Sequence, residues 1–260
     1  MDNSSRAFLY GESVFTTMRM ISGEVKDWDL HFDRLKRGID FVFGPIDDSL
    51  WLPFKLMIEE KTKRLSGSKA LRVTVFARGD IGFKPLKANL EELEVVITER
   101  PLPDMDLRPR RLKSVRRPGR PNFWPSFLKA GSYLETLLTQ KYMLNSGDDD
   151  LLFCDESGNI EESSVANIFI VQGTTLITPA LGPNVLEGIT RKKVLDIAPL
   201  FFDKTSEESI SLNEKFHADG IFLSNSIRGI FLVDRIDDFE ISYSEKFLKT
   251  FNELREMVLR

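Results

Sequence analysis

Two segments in the second half of the chain constrain its fold more than any other feature. A pair of glutamates, Glu161 and Glu162, precedes the strand-like segment that begins at Asn167, and Gly188-Ile189-Thr190 then opens a helical pattern. The first turn of a helix leaves backbone N–H groups without intrahelical partners, and such groups bind phosphate well. Upstream, Lys129 lies among apolar and small residues. An amine, a carboxylate and an anion site in this order predict an α/β protein that can hold pyridoxal 5′-phosphate (PLP).

Composition excludes several other classes of protein. The 260 residues can bury one large core or two small ones, and a net charge of -4 argues against a general nucleic-acid binder. No apolar run approaches the roughly 20 residues that a membrane helix needs. The two histidines, His31 and His217, are too few for a histidine-based metal site. We therefore expect no bound metal. Because Cys154 is the only cysteine and the N-terminus lacks a signal-peptide pattern, we expect a cytoplasmic protein.

Periodicity predicts alternating strands and helices in the first half. The segment from Ser13 to Met20 is β-prone, and its side chains at Phe15, Thr17 and Arg19 would share one face of a strand. A helical spacing of apolar residues follows from Asp29. Further expected elements are a helix from Pro53 toward Leu65 and strands over residues 71–76 and 93–98.

The middle of the chain is rich in proline and arginine, and we interpret residues 105–121 as an interdomain connection. Residues 1–104 would then form a small N-terminal α/β domain, and residues 122–260 a larger one that carries Lys129. The basic side chains of the connection either lie in a solvated loop or face an anionic substrate or a second subunit. In the larger domain we expect a helix from Tyr133 to Leu144 and a final helix capped by Ser244.

Four segments resemble the class IV aminotransferase family, the PLP enzymes of fold type IV, in residues and in order. They are His31-Phe32-Asp33-Arg34-Leu35, Lys129-Ala130-Gly131-Ser132-Tyr133, Glu162 with Asn167-Ile168-Phe169, and Gly188-Ile189-Thr190-Arg191. The resemblance runs from about Tyr10 to about Val233. It implies an α/β (α+β) fold of two domains, like that of D-amino-acid aminotransferase, with PLP between them. It also implies a homodimer that acts on a small amino substrate.

The resemblance also implies roles for individual residues. Lys129 would form the Schiff base with the cofactor and act as base, and Tyr133 would contact the substrate. Glu162 rather than Glu161 would contact the pyridine nitrogen, because the family's acid stands five positions before the asparagine. The remaining residues would bind the phosphate, and they are Arg34, Ile189, Thr190 and Ser226.

The N-terminal motif separates two reactions within the family. Gly11-Glu12-Ser13-Val14-Phe15-Thr16-Thr17 resembles 4-amino-4-deoxychorismate lyases, which release pyruvate and 4-aminobenzoate, a folate precursor. Thr17 would then assist catalysis, Phe15 would contact substrate, and Arg78 and Arg228 would bind its carboxylates. An aminotransferase of branched-chain or D-amino acids is the first alternative. A catalytically inactive paralogue that serves as a binding protein is the second.

Overall fold

The computed structural model describes residues 5–78, 82, 89–104, 106, 108–117, 119–144, 146–213 and 217–260, and the chain divides into two compact units. Unit 1 comprises Met1–Pro103 and Phe127–Leu134, and unit 2 comprises Asp104–Ser126 and Glu135–Arg260. Within the described residues, no helix is long and apolar enough to cross a membrane.

Unit 1 is a four-stranded antiparallel sheet with two long helices. Its strands follow the order β2-β1-β3-β4. Alternate side chains of β1, such as Met18 and Met20, are fully buried together with Leu35 and Ile39 of the neighbouring helix. The described elements are α1 (Arg6–Tyr10), β1 (Val14–Ile21), β2 (Glu24–Val25), α2 (Trp28–Phe43), α3 (Trp51–Lys63), β3 (Lys69–Ala77) and β4 (Leu93–Pro101).

Unit 2 is built on a larger mixed sheet whose strands follow the order β10-β9-β8-β11-β12-β5-β6-β7, with β13 paired to β12. Helices α5 and α6 cover one face of it, around a core that includes Phe169, Phe222 and Leu254. The described elements are β5 (Arg110–Arg116), α4 (Leu134–Met143), β6 (Asp150–Cys154), β7 (Ile160–Ser163), β8 (Asn167–Gln172), β9 (Thr175–Thr178), α5 (Ile189–Ile197), β10 (Lys204–Glu207), β11 (Gly220–Asn225), β12 (Gly229–Ile236), β13 (Phe239–Glu240) and α6 (Glu245–Leu259).

The region interpreted as a connection contains a strand of the sheet. Strand β5 lies within residues 105–121 and pairs with β12 on one side and β6 on the other. Its arginines and lysine obscure the strand pattern, and their charges are met by acids from other parts of unit 2, such as Asp237 beside Lys113. Tertiary pairing therefore overrides the weak local preference of this segment.

The segment around Lys129 also groups differently from the expected boundaries. Residues Phe127–Leu134 belong with unit 1, whereas the sequence places them in the larger C-terminal domain. The reason is backbone pairing, since Phe15 N donates to Lys129 O over 2.9 Å and Gly131 N donates to Ser13 O over 2.7 Å. The division into functional domains stays a prediction.

Candidate active site

Lys129 is held against β1 by the backbone on both sides of it. The hydrogen bonds of Phe15 and Ser13 fix the chain immediately before and after the lysine. Gly131 makes this approach possible, because a Cβ atom there would collide with the hydroxyl of Ser13. Glycine at position 131, two residues after the predicted lysine, is therefore required for the close packing of this segment against β1.

The amine of Lys129 lies in an aromatic group of predicted site residues. Its Nζ donates a hydrogen bond to the hydroxyl of Tyr133 over 2.6 Å and lies 4.8 Å from the ring centroid of Phe15. The rings of Phe15 and Tyr133 meet edge to face at 5.0 Å. The structure thus brings together three of the residues that the sequence singles out in unit 1.

Arg72 completes this group and was missed by sequence reasoning. Its guanidinium lies 3.6 Å from the ring centroid of Phe15 and 5.9 Å from that of Tyr133, and its Nε donates to Thr74 Oγ1 over 3.1 Å. Burial lowers the pKa of the Arg72 guanidinium, and nearby Arg100 lowers it further. The available signal was a cation in the middle of a β-prone segment, between Leu71 and Val73.

The sheet face that carries this group is cationic. In the antiparallel register Thr17 lies opposite Arg72, and Arg72 lies opposite Thr98 of β4. Directly paired residues project to the same face, and so do residues two apart on one strand. Arg19, Arg72 and Arg100 therefore share the face of Phe15 and Thr17. Thr17 itself is half-buried there.

Arg34 lies on the other face of β1, together with His31 of the same helix. Its Nη2 donates to Thr16 Oγ1 over 3.3 Å, and Thr16 Oγ1 lies 2.6 Å from His31 Nδ1. The threonine hydroxyl therefore links the guanidinium of Arg34 to the imidazole ring of His31. All three side chains are buried. The phosphate-binding role of Arg34 stays a prediction.

The other candidate of unit 1, Arg78, lies at the end of β3. Its side chain is 71% exposed and pairs with Glu94. This placement gives Arg78 no described contact with Lys129 or Tyr133, so Arg72 is the better placed cation of the two.

In unit 2, both glutamates of the predicted acid pair contact Arg117. The Nε of Arg117 lies 2.9 Å from Glu161 Oε2, and its Nη2 lies 3.7 Å from Glu162 Oε1. Arg117 is only 8% exposed. In the sequence Arg117 is one of several basic residues within 105–121, and its pairing with the two glutamates distinguishes it from the others.

Glu162 is also bound to the segment that leads to α5. Its Oε2 accepts a hydrogen bond from Leu186 N over 2.8 Å and lies 3.4 Å from Asn167 Nδ2. Asn167 Nδ2 in turn donates to Leu186 O over 2.8 Å. The carboxylate, the asparagine and the segment that leads to the helix are therefore one hydrogen-bonded group.

The start of α5 packs closely on that asparagine. A Cβ atom at Gly188 would collide with Asn167 Oδ1, so only glycine fits there. The next two residues, Ile189 and Thr190, are buried at the first turn of the helix. Their backbone N–H groups occupy the positions that have no intrahelical acceptor.

Ser226 and Arg228 lie in the turn between β11 and β12, where Asn225 Oδ1 accepts from the backbone N–H groups of residues 227 and 228. Arg228 also lines a shallow cleft with Asp106, Asn252 and Arg255. Burial lowers the pKa of the Arg228 guanidinium, and Arg110 lowers it further. The substrate-binding role of Arg228 stays a prediction.

The residues present fit the requirements of PLP. Lys129 supplies an ordered amine for the aldehyde, and the glycine-tight start of α5 supplies N–H groups suited to a phosphate. Glu161 and Glu162 carry two negative charges, whereas the guanidinium of Arg117 between them carries one positive charge. The excess negative charge suits a protonated ring nitrogen. Among the residues described, no group of three or more acidic, histidine or cysteine side chains is arranged to hold a metal ion.

Comparison with known proteins agrees with this chemistry. The family described as "Amino-transferase class IV" matches residues 13–236. A probable branched-chain-amino-acid aminotransferase of Thermotoga maritima is 28% identical over 241 residues, covering 87% of this chain and 78% of the relative.

Two solved structures share the fold. The branched-chain aminotransferase of Thermoproteus uzoniensis superposes with a TM-score of 0.85 at 23% identity, covering 100% of this chain and 89% of its own. The 4-amino-4-deoxychorismate lyase of Pseudomonas aeruginosa superposes with a TM-score of 0.81 at 22% identity, covering 98% and 94%. The predicted fold type is thereby confirmed, and the chain belongs to the class IV aminotransferase family of PLP-dependent enzymes.

Proposed function

We propose that the protein is a 4-amino-4-deoxychorismate lyase, which splits its substrate into pyruvate and 4-aminobenzoate for folate synthesis. The observation that carries the proposal is the cationic sheet face beside Lys129. Arg72 is in contact with Phe15 there, and Arg19 and Arg100 share the same face. The substrate of the lyase bears two carboxylates, and guanidinium groups bind carboxylates well. A branched-chain amino acid has one carboxylate and an apolar side chain.

The residues of the chain take the following parts. Bound PLP supplies a ring that withdraws electrons from the substrate carbon carrying the amine. Lys129 removes and returns protons at its Nζ, and Tyr133 orients that nitrogen through the hydroxyl that accepts from it. Glu162 would hold the proton of the ring nitrogen. The N–H groups of Ile189 and Thr190 would bind the phosphate, and Arg34 and Ser226 would add further contacts.

Substrate recognition falls to the face of β1 that carries Phe15. Arg72 binds a carboxylate of the substrate, and Phe15 packs against its ring. Thr17, opposite Arg72 in the sheet, orients the enolpyruvyl group that leaves. The cleavage needs no second substrate, because the atoms of pyruvate and 4-aminobenzoate together equal those of aminodeoxychorismate.

An aminotransferase of branched-chain or D-amino acids is the second candidate. It is supported by the Thermotoga maritima relative and by the hydroxyl of Tyr133, since a tyrosine near the lysine is typical of the transaminases of this family. The two reactions differ in stoichiometry. A transaminase needs an amino donor and a keto-acid acceptor, whereas the lyase turns over a single substrate.

The deciding experiment begins with the absorbance spectrum of the purified protein with PLP, for wild type and Lys129→Ala. We expect a visible band that the variant lacks. Wild type is then given enzymatically generated aminodeoxychorismate, D-alanine or L-leucine, with and without 2-oxoglutarate. Pyruvate and 4-aminobenzoate in equal amounts, without an acceptor, support the lyase. Loss of D-alanine or L-leucine that occurs only when 2-oxoglutarate is present supports the aminotransferase and contradicts the lyase.

We also propose that the protein acts as a homodimer that assembles through α4. The leucines of a surface helix usually face the core, but those of α4 are exposed, and its buried residues are Thr139 and Met143. The exposed apolar residues of this face are Leu134, Leu137, Leu138 and Tyr142. A cytoplasmic location remains our expectation from the single cysteine.

A further inference from the structure

We infer that Arg117 is the positioning residue for Glu162, and that Glu161 holds Arg117 in place for this task. The inference rests on the role of Glu162 in the proposed function. It also gives a part to Glu161, for which the spacing of the motif provides no role.

A β-bulge brings the two carboxylates to the same guanidinium. In the pairing of β6 with β7, Leu152 faces Ser163 and Cys154 faces Ile160, so Glu161 and Glu162 together oppose Phe153. In a regular strand, adjacent side chains point to opposite faces. A bulge places two residues opposite one and redirects their side chains. This irregularity explains how consecutive glutamates both approach Arg117.

Arg117 is fixed on several sides. Its guanidinium carbon lies 4.0 Å from the ring centroid of Phe153, the residue opposite the bulge. Its Nη2 donates to Asn184 O over 2.8 Å, and its backbone N–H donates to Cys154 O over 3.0 Å. A planar guanidinium held in this way presents its donors in fixed directions.

The two glutamates use Arg117 differently. Glu161 accepts from Arg117 Nε at Oε2 and from Asn184 Nδ2 at Oε1, so both of its oxygens serve to hold the cluster. Glu162 lies farther from the guanidinium, at 3.7 Å, and is bound on its other oxygen by Leu186 N. Glu161 is therefore the anchor of Arg117, and Glu162 is the carboxylate that the cluster orients toward a ligand.

The charges of the cluster agree with this division. Glu161 and Glu162 carry two negative charges against the single positive charge of Arg117. Glu135 lies 3.5 Å from Arg117 Nη1 and 3.8 Å from Arg120 Nη2, so the whole group contains three carboxylates and two guanidinium groups. One negative charge is left over, which suits a cationic group such as a protonated ring nitrogen. Without Arg117, two carboxylates would repel each other in a site largely shielded from water.

The test compares PLP binding and the absorbance spectrum of bound PLP in Arg117→Gln, Glu162→Gln and the double variant. We expect each single variant to weaken PLP binding about tenfold and to shift the spectrum in the same direction. In the Glu162→Gln background, Arg117→Gln should add no further spectral shift. Arg116→Gln, which changes the exposed preceding residue at the end of β5, is the matched control and should behave as wild type.

Because Arg117→Gln leaves Glu161 buried without its cation, the variant can lose stability for structural reasons alone. The Arg117→Gln/Glu161→Gln variant removes both charges, and urea unfolding of the apoprotein measures how much stability returns. We expect stability to recover while the altered spectrum persists, and Arg117→Lys to restore the spectrum in part. Recovery of stability and a wild-type spectrum together would overturn the inference. If instead Glu162→Gln leaves both PLP affinity and spectrum unchanged, the role of Glu162 in the proposed function fails.

Discussion

The amine of Lys129 donates a hydrogen bond to the phenol oxygen of Tyr133 over 2.6 Å, four residues further along the chain. Both side chains contact the ring of Phe15, which lies on a strand bound to the backbone of Lys129. Ordering a lysine side chain costs about 1.5–2 kcal/mol of conformational entropy. The contacts with Tyr133 and Phe15 offset that cost, so the amine of Lys129 is already oriented by its own neighbours.

Tyr133→Phe tests this orientation directly. The variant keeps the ring that packs on Phe15 and removes only the acceptor of the lysine hydrogen bond. We expect kcat to fall by roughly 10²-fold, as for loss of a positioned proton-transfer group, with PLP still bound. Steady-state kinetics and the spectrum of bound PLP measure the two effects. Tyr10→Phe serves as the control, and equal kcat values for Tyr133→Phe and wild type would contradict the proposed role.

Arg72→Gln tests the recognition of the substrate carboxylate. A hydrogen bond to a charged group contributes about 1.5–3 kcal/mol, so KM for the carboxylate substrate should rise by roughly 10- to 100-fold. The control is Lys69→Gln on the same strand, whose partner is the surface residue Glu99. Arg78→Gln compared under the same conditions ranks the two candidate cations. A larger KM effect from Arg78 than from Arg72 would reverse the assignment made from the structure.

Elements with strong local patterns were predictable from the sequence. The final helix begins after Ser244, whose hydroxyl accepts from Phe247 N over 3.1 Å, and its apolar stripe is buried as expected. The β1 strand and the α2 helix were likewise predicted from alternation and from helical spacing. In each case the residues that determine the structure are close neighbours in sequence.

Features that depend on distant residues were not predictable in this way. Strand β5 is stabilised by pairing with β6 and β12, which follow it in the sequence. Arg72 and Arg117 resemble ordinary charged residues until the strands opposite them are known. The β7 bulge that redirects Glu161 and Glu162 is a register effect, and one sequence contains no direct record of register. The sequence motifs can be recognised locally, whereas the contacts that Arg72 and Arg117 make with them depend on distant strands.

Cys154 should be unreactive in the folded protein. Burial raises the pKa of its thiol to about 11, with a further contribution from nearby Glu161. At pH 8 only about a thousandth of the thiol would be ionised, compared with roughly a quarter for an ordinary cysteine. We expect negligible alkylation by iodoacetamide in buffer and complete alkylation in concentrated urea, as measured by mass spectrometry. Rapid alkylation of the folded protein would show that the sheet around Cys154 opens readily.

Leu138→Asp tests the proposed dimer through α4. Burial of a leucine side chain contributes about 1.5–3 kcal/mol, and in a two-fold interface each substitution counts twice. The dissociation constant of the dimer should therefore rise by about a hundredfold or more. Sedimentation equilibrium measures it, with Gln140→Asp as a control that adds the same charge at a nearby polar position of α4. A monomeric wild type, or a dimer unaffected by Leu138→Asp, would contradict the α4 interface.

The contact between Gly188 and Asn167 gives the sharpest test of the anion-binding end of the site. An alanine at position 188 would drive its methyl group into Asn167 Oδ1 and disturb the amide that donates to Leu186 O over 2.8 Å. Overpacking of this kind typically costs about 1–3 kcal/mol. We expect Gly188→Ala to lower the free energy of unfolding by that amount in urea and to weaken PLP binding, because the start of α5 is displaced.

Gly182→Ala is the matched control for this substitution, since a Cβ atom there meets no described heavy atom within 4 Å. Gly188 has an ordinary φ of -71°, so the backbone conformation alone would not strain an alanine there. A second variant tests the collision itself. Removing the obstructing amide with Asn167→Ala makes room for the new methyl group. The free energy lost in the Gly188→Ala/Asn167→Ala variant should then be less than the sum of the single losses. Additive losses would mean that the two residues act independently, and the close packing of α5 on Asn167 would not be what orders the first turn of the helix.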